Sequence, residues 1–136
     1  MIVLDTNVVS ETMRASPDAG VLAWLEEQTG PVALTAITVG ELLIGVGLLP
    51  PGKRRDGLAQ AVDHVLFRWA TILPYNAEAA KAYALIHELS RSRGRGLSVE
   101  DGMIAAICII RGATLATRNM TDFDHLPLTI INPWVL

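Results

Sequence analysis

Four carboxylates occupy places in the chain from which acids can be gathered: Asp5, Glu41, Asp101 and Asp122. Asp5 ends the apolar run Ile2-Val3-Leu4. Glu41 and Asp101 are expected in the first turns of two helices, and Asp122 follows a short strand by a turn. In an open α/β sheet, ligands bind beyond the carboxyl ends of the strands, and the intervening helices start at that same edge. All four side chains can therefore meet on one rim. A rim of carboxylates is costly without cations, and an oxygen-only donor set suits a hard divalent ion, Mg²⁺ or Mn²⁺. The chemistry implied is metal-assisted hydrolysis. Each acid also has a plain structural reading. Thr38-x-x-Glu41 and Ser98-x-x-Asp101 match a capping box, Asp5 suits a helix N-cap, and Asp122 could close an Asx turn with Thr121. The coincidence of all four favours the metal reading.

Rival chemistries find little support. His64, His87 and His125 are scattered, with no paired spacing, and read as surface or core residues. Cys108 is the single cysteine and lies in an apolar helical stretch, so it reads as core. One cysteine permits no internal disulfide, which agrees with a reducing, cytoplasmic location. Gly47 to Lys53 carries the letters of a phosphate-binding loop. Arg54 stands where the hydroxyl is needed, however, and Pro50 and Pro51 remove two N–H donors, so the segment reads as a helix terminator. An aspartate-nucleophile phosphatase built on Asp5 wants a second Asp at position 7, where the chain has Asn7.

The elements that must position the acids follow from periodicity and punctuation. A strand is expected over Ile2–Leu4, a helix over Thr6–Arg14, and a second helix opening on Pro17 and running to about Gln28. Strand Val32–Thr35 leads into a helix from about Val39 to Leu48. Leu58, Ala61, Val62, Val65, Leu66 and Trp69 recur with helical period over Arg54–Trp69. A strand Thr71–Leu73 precedes a long helix, about Ala77–Arg93, capped by Asn76, with an apolar stripe at Ala80, Tyr83, Ala84 and Leu89. Helix Val99–Arg111, stopped by Gly112, precedes strands Thr114–Ala116 and Leu128–Ile131. No strand pair has hairpin spacing. The expected fold is α/β, one domain over residues 1–136, with a mainly parallel five-stranded sheet covered by helices on both faces.

Composition sets the outer limits. Apolar residues make up 51% of the 136 and mean hydropathy is +0.37, yet no run approaches the roughly 20 apolar residues of a membrane span. The opening MIVLDTN lacks a basic region and reads as a strand rather than a signal peptide. Net charge is −3, from 14 acidic and 11 basic residues, which at first argues against a nucleic-acid partner. Setting the four acids aside for metal leaves ten acidic residues against 11 basic ones. Arg14, Lys53, Arg54, Arg55, Arg93, Arg95 and Arg118 are candidate phosphate contacts, with Arg118 and Arg14 singled out for RNA binding. A solvated surface role is the ordinary alternative for each.

Together, Leu4-Asp5-Thr6-Asn7, Thr38-x-x-Glu41-Leu42-x-x-Gly45, Asp101-x-x-Ile104-Ala105-Ala106 and Thr117-Arg118-Asn119-x-x-Asp122-Phe123 resemble the motifs of a PIN domain. The resemblance is closest to the VapC-type toxins of bacterial toxin–antitoxin pairs, including the FitB-like branch, and spans the whole chain. It implies a Mg²⁺-dependent endoribonuclease, with Mn²⁺ as a possible substitute. Asp5, Glu41, Asp101 and Asp122 would be the catalytic acids, with Asp5, Asp101 and Asp122 on the metal. Thr6, Asn7, Thr117 and Asn119 would orient carboxylates or the attacking water. Glu100 and Asp124 are neighbouring acids that could share these roles. The implied partners are an RNA substrate, a small antitoxin of VapB or FitA type, operator DNA only through that antitoxin, and a second copy in a homodimer. Val8, Val9 and Leu48 belong either to that dimer surface or to the core. A non-catalytic α/β interaction module is the remaining alternative.

Overall fold

In a computed structural model, which describes Met1 to Leu136, β1 (Ile2–Leu4) is followed by α1 (Thr6–Thr12), α2 (Ala19–Glu27), β2 (Val32–Thr35), α3 (Ala36–Gly47) and α4 (Lys53–Arg68). Then come β3 (Ile72–Leu73), α5 (Ala77–Ser92), α6 (Val99–Arg111), β4 (Thr114–Ala116), α7 (Met120–Phe123) and β5 (Ile130–Ile131). The strands form one sheet in the order β3-β2-β1-β4-β5, and every pairing is parallel.

Successive residues of a strand point to opposite faces, and the central strands carry apolar residues at both parities. The core divides accordingly. Val3, Ala33 and Leu115 pack with Ala79 and Ile86 of α5 and with Ile104 to Cys108 of α6. Their immediate neighbours Leu4, Leu34 and Ala116 pack on the other face with Val8 and Val9 of α1, Val21 and Trp24 of α2, and Val62 and Val65 of α4. Both faces are therefore covered, which explains strands that read as continuous apolar runs rather than alternating ones. Val8 and Val9 are wholly core, whereas Leu48 is exposed. No helix is long and apolar enough to cross a membrane.

Several boundaries shift for local reasons. Helix α1 ends at Thr12, two residues early. Helix α2 opens on Asp18 rather than Pro17, because the Asp18 carboxylate accepts from the Val21 N–H at 3.0 Å and so makes the cap. Strand β5 is reduced to Ile130–Ile131. On α5, Ala80 and Ala84 are exposed; Ala79, Ile86 and Ser90 are buried, with Tyr83 and Leu89 partly so. Alanine is too small to mark a face, so the buried positions are Ala79 rather than Ala80 and Ile86 rather than Ala84.

The strand order matters for function. From β1 the chain steps to β2 and β3 on one side, then returns to β4 and β5 on the other. The carboxyl ends of β1 and β4 thus flank the switch point, where an open α/β sheet leaves a crevice. Asp5 follows β1 and Thr117 follows β4.

Candidate active site

Asp5 is held on all sides. Its backbone is extended and its N–H donates to the Ala116 carbonyl of β4 at 2.9 Å. Oδ1 accepts from the Thr6 N–H at 2.8 Å, so Asp5 does cap α1. Oδ2 accepts from the Thr117 hydroxyl at 2.7 Å and from Asn7 Nδ2 at 3.3 Å. Thr117 is fully buried and also receives the Asn119 N–H at 3.1 Å. Asn7 in turn accepts the Arg118 N–H at 3.3 Å. Thr117, Asn7 and Asn119 therefore link the end of β4 to the end of β1, although Asn119 does so through its backbone and its side chain makes no cap bond.

Glu41 reaches the same rim by a different route from that expected. Helix α3 starts at Ala36, because the buried Thr35 hydroxyl accepts from the Thr38 N–H at 3.2 Å. The cap is Thr35, not Thr38, and Glu41 sits in the second turn, outside any capping box. Its Oε1 accepts from the Thr6 hydroxyl at 2.7 Å, and Thr6 Oγ1 lies 3.0 Å from Thr38 Oγ1. Thr38, read as a cap from sequence, is instead part of a hydroxyl chain that orients Glu41. Asp101 keeps its expected place: the Ser98 hydroxyl accepts its N–H at 3.1 Å in the first turn of α6. Asp122 lies within the one-turn α7 rather than in an open turn. The fully buried Phe123 anchors that turn and leaves Asp122 exposed.

The electrostatics tie the four acids together. Burial pushes the Asp5 carboxyl above the usual carboxylate range, and repulsion from Glu41 adds to this against the hydrogen bonds from Thr117, Thr6 and Asn7. Asp101 is raised by burial first, then by repulsion from Asp5, with Asp122 and Glu100 contributing and Ser98 opposing. Each key acid is thus within electrostatic reach of another, and no cation offsets either shift. Helix α6 brings its N-terminus to this edge, which favours negative charge.

Other candidates fall elsewhere. Arg14 Nη1 contacts both oxygens of Glu11, at 3.2 and 3.3 Å. Arg118 is exposed, with its guanidinium 5.0 Å from the Trp134 ring centroid, a cation–π contact. Asp124 is bonded by Arg95 Nη2 at 2.7 Å, so Asp124 already has a cation partner. Arg95 also donates to the Thr121 carbonyl. Residues 29 apart in sequence carry no local signal for such a contact. His125 is buried, with Nε2 2.8 Å from the Ser90 hydroxyl; His64 and His87 are exposed. Cys108 is fully buried and its thiol is pushed up to about 12, so it stays protonated.

The donor set of the rim is carboxylate oxygen alone, which fits a hard divalent ion. No three of its acids, histidines or cysteines close into a ready-made cage. Mg²⁺ does not require one, because it keeps several waters and takes one or two carboxylates.

Comparison with known proteins gives a consistent result. The PIN domain family model matches residues 2–127. The chain is 44% identical to the plasmid stability protein StbB of Pseudomonas syringae pv. tomato, over 98% of this chain and 99% of the relative. It is 41% identical to the VapC ribonuclease Y4jK of Sinorhizobium fredii, over 98% of each. It is 37% identical to toxin FitB of Neisseria gonorrhoeae, over 98% of this chain and 99% of that one. The crystal structure of FitAcB from Neisseria gonorrhoeae superimposes with a TM-score of 0.93 at 39% identity, covering 100% of both chains.

Proposed function

This chain belongs to the PIN domain family, and on that premise we propose that it is a divalent-metal-dependent endoribonuclease, the toxin of a toxin–antitoxin pair. The observation that carries the reading is the state of Asp5. It is a buried carboxylate at the sheet's switch point, raised by burial and by Glu41, whose hydrogen-bond partners are the neutral Thr6, Asn7 and Thr117. A buried carboxylate raised in this way is stabilised when a cation neutralises its charge.

Asp5, Asp101 and Asp122, with Glu41 beside them, would hold Mg²⁺ or Mn²⁺. When bound, the ion supplies a lowered pKa to the attacking water and charge neutralisation at the scissile phosphate. The protein's own contribution is orientation. The Thr117 hydroxyl and Thr6 N–H fix both oxygens of Asp5, and the Thr6 hydroxyl fixes Glu41. Asn7 steadies Asp5 from the side, and Asn119 steadies Thr117. Hydrolysis in this manner leaves 5′-phosphate and 3′-hydroxyl ends. It needs no covalent nucleophile or imidazole base: Cys108 is protonated and buried, and His125 is engaged with Ser90.

The likeness to FitB and to VapC solved with VapB supports an antitoxin partner; the reading also includes operator DNA contacted only through that antitoxin, and a homodimer. Arg118 is the favoured RNA contact, since its N–H is tied to Asn7 beside Asp5 and its side chain is exposed. The phosphatase alternative loses ground, because Asn7 uses its amide to brace Asp5 and offers no second carboxylate.

The test is cleavage of total RNA by the purified chain in Mg²⁺, with and without EDTA, alongside Asp101→Ala. We expect activity that EDTA abolishes and that the variant lacks while its circular dichroism is unchanged. Cleavage that persists in EDTA overturns the metal reading. Hydrolysis of phosphate monoesters with intact RNA points to the phosphatase, and no hydrolysis of either points to the interaction module.

A further inference from the structure

We propose that the cleft between α5 and the first turn of α6 holds one splayed base and the adjoining phosphate of single-stranded RNA, next to the phosphodiester that is cut. The proposal rests on the ribonuclease reading and says where that substrate runs. The cleft has a volume of about 260 Å³ and is lined by Tyr83, His87, Arg91, Arg95, Ser98 and Gly102, among others.

Position comes first. Ser98 caps α6 and Gly102 directly follows Asp101, so the cleft opens beside the acidic rim. A larger cleft of about 340 Å³ involves Thr12 and Met13, at the far end of α1 from Asp5, and so lies away from the acids. Shape is the second observation. A Cβ at Gly102 would lie 2.6 Å from Tyr83 Cε2, so only glycine lets the tyrosine ring lie against the backbone beside Asp101. Tyr83 and His87 are one helical turn apart, with ring centroids 6.4 Å apart and planes tilted by 43°. Ring faces of this kind stack bases with little regard to sequence, and a space this small admits an unstacked base but not a duplex.

Charge is the third. In a chain with a net charge of −3, Arg91, Arg93 and Arg95 fall within five residues, from the last turn of α5 into the α5–α6 connection. Arg91 is exposed, and its only ion pair is with the exposed Glu88 at 3.4 Å, a contact worth little in water. Arg95 is fixed at the cleft through Asp124 and the Thr121 carbonyl, with its remaining N–H groups free of protein partners. At the neighbouring His125, burial lowers basicity first, and Arg95 and Arg93 lower it further against the opposing charge of Asp124. Ring faces plus fixed cations beside a carboxylate rim suit a polyanion whose bases are unpaired.

The experiment uses His87→Ala and Arg91→Glu, both at exposed side chains, with Arg68→Ala on α4 as a control. Binding of a fluorescein-labelled, mixed-sequence single-stranded oligoribonucleotide is read by anisotropy in EDTA, and cleavage kinetics are read in Mg²⁺. Each cleft variant is expected to bind about tenfold more weakly and to raise KM with kcat nearly unchanged. Arg91→Glu also flattens the salt dependence of binding, and the control matches the parent chain. Binding and KM equal to the parent's in both variants overturn the cleft, as does an equal loss on duplex RNA. A parent chain that cuts no RNA sinks the ribonuclease reading instead, and the binding arm still decides the cleft.

Discussion

The two ends of α1 each present a buried carboxylate, and the two behave in opposite ways. Asp5 before the helix is 3% exposed, and Glu11 near its end is 4% exposed. Glu11 lies below the usual carboxylate range. The Asp18 N–H, bonded at 2.9 Å, is the main reason, and Arg14 adds hydrogen bonds and charge. Asp5 lies above that range, because burial and Glu41 outweigh its three hydrogen-bond donors. The difference lies in their partners: the Asp18 N–H and Arg14 hold Glu11, whereas burial and Glu41 act against Asp5. Glu11 has a partner supplied by the chain and clasps α1 to the start of α2. Asp5 is surrounded by donors that aim it and by acids that repel it.

The comparison breaks most sharply in activity. Asp5→Ala is expected to lower RNA cleavage by on the order of a thousandfold, whereas Glu11→Ala leaves kcat within a few-fold. A Glu11→Ala enzyme as inactive as Asp5→Ala, yet still folded, would erase the distinction. Stability shows the reverse order. Glu11→Ala strands the Asp18 N–H and Arg14, and a fall of several degrees in Tm is expected by calorimetry.

Asp5→Asn sharpens the contrast through pH. A carboxyl raised on folding stabilises the protein below its ordinary pKa and loses that contribution as pH rises through the folded value. At neutral pH, without divalent metal, Asp5 is therefore a burden. Asp5→Asn is expected to raise Tm there by a few degrees, with the gain fading toward acid. Glu11 has the opposite sign. Its contribution is complete above its ordinary pKa and is lost as pH falls through its lowered value, so Glu11→Gln should cost most near neutrality. A Tm gain for Asp5→Asn that grows toward acid contradicts this assignment. The smallest effect belongs to Arg14→Ala, a shift of no more than about 2 °C, because Arg14 is largely exposed. An increase in KM for that variant would reassign Arg14 from clasp to RNA contact.

Much was legible from sequence because it is local. Helix α6 and strand β4 have the expected bounds, Asn76 and Ser98 cap as read, and Gly112 ends α6 in the left-handed region at φ 61°. The strand runs were apolar at both parities, so a mainly parallel, doubly covered sheet followed. Asp5, Asp101 and Asp122 stood out by their places after strands and at a helix start. What could not be read was contact between distant segments. Thr35 rather than Thr38 caps α3, because a buried hydroxyl at the strand end reached the N–H first. The one-turn α7 depends on burial of Phe123 rather than on any helical period. Arg95 finds Asp124, and Ser90 finds His125, only once the end of α5 and the segment after it meet the residues that follow α7. Residue types and spacing determined by themselves which acids this protein has to offer. The tertiary structure alone decided that Asp5 would be buried beside Glu41 while Glu11 received the Asp18 N–H and Arg14, because burial and charge partners are properties of packed neighbours.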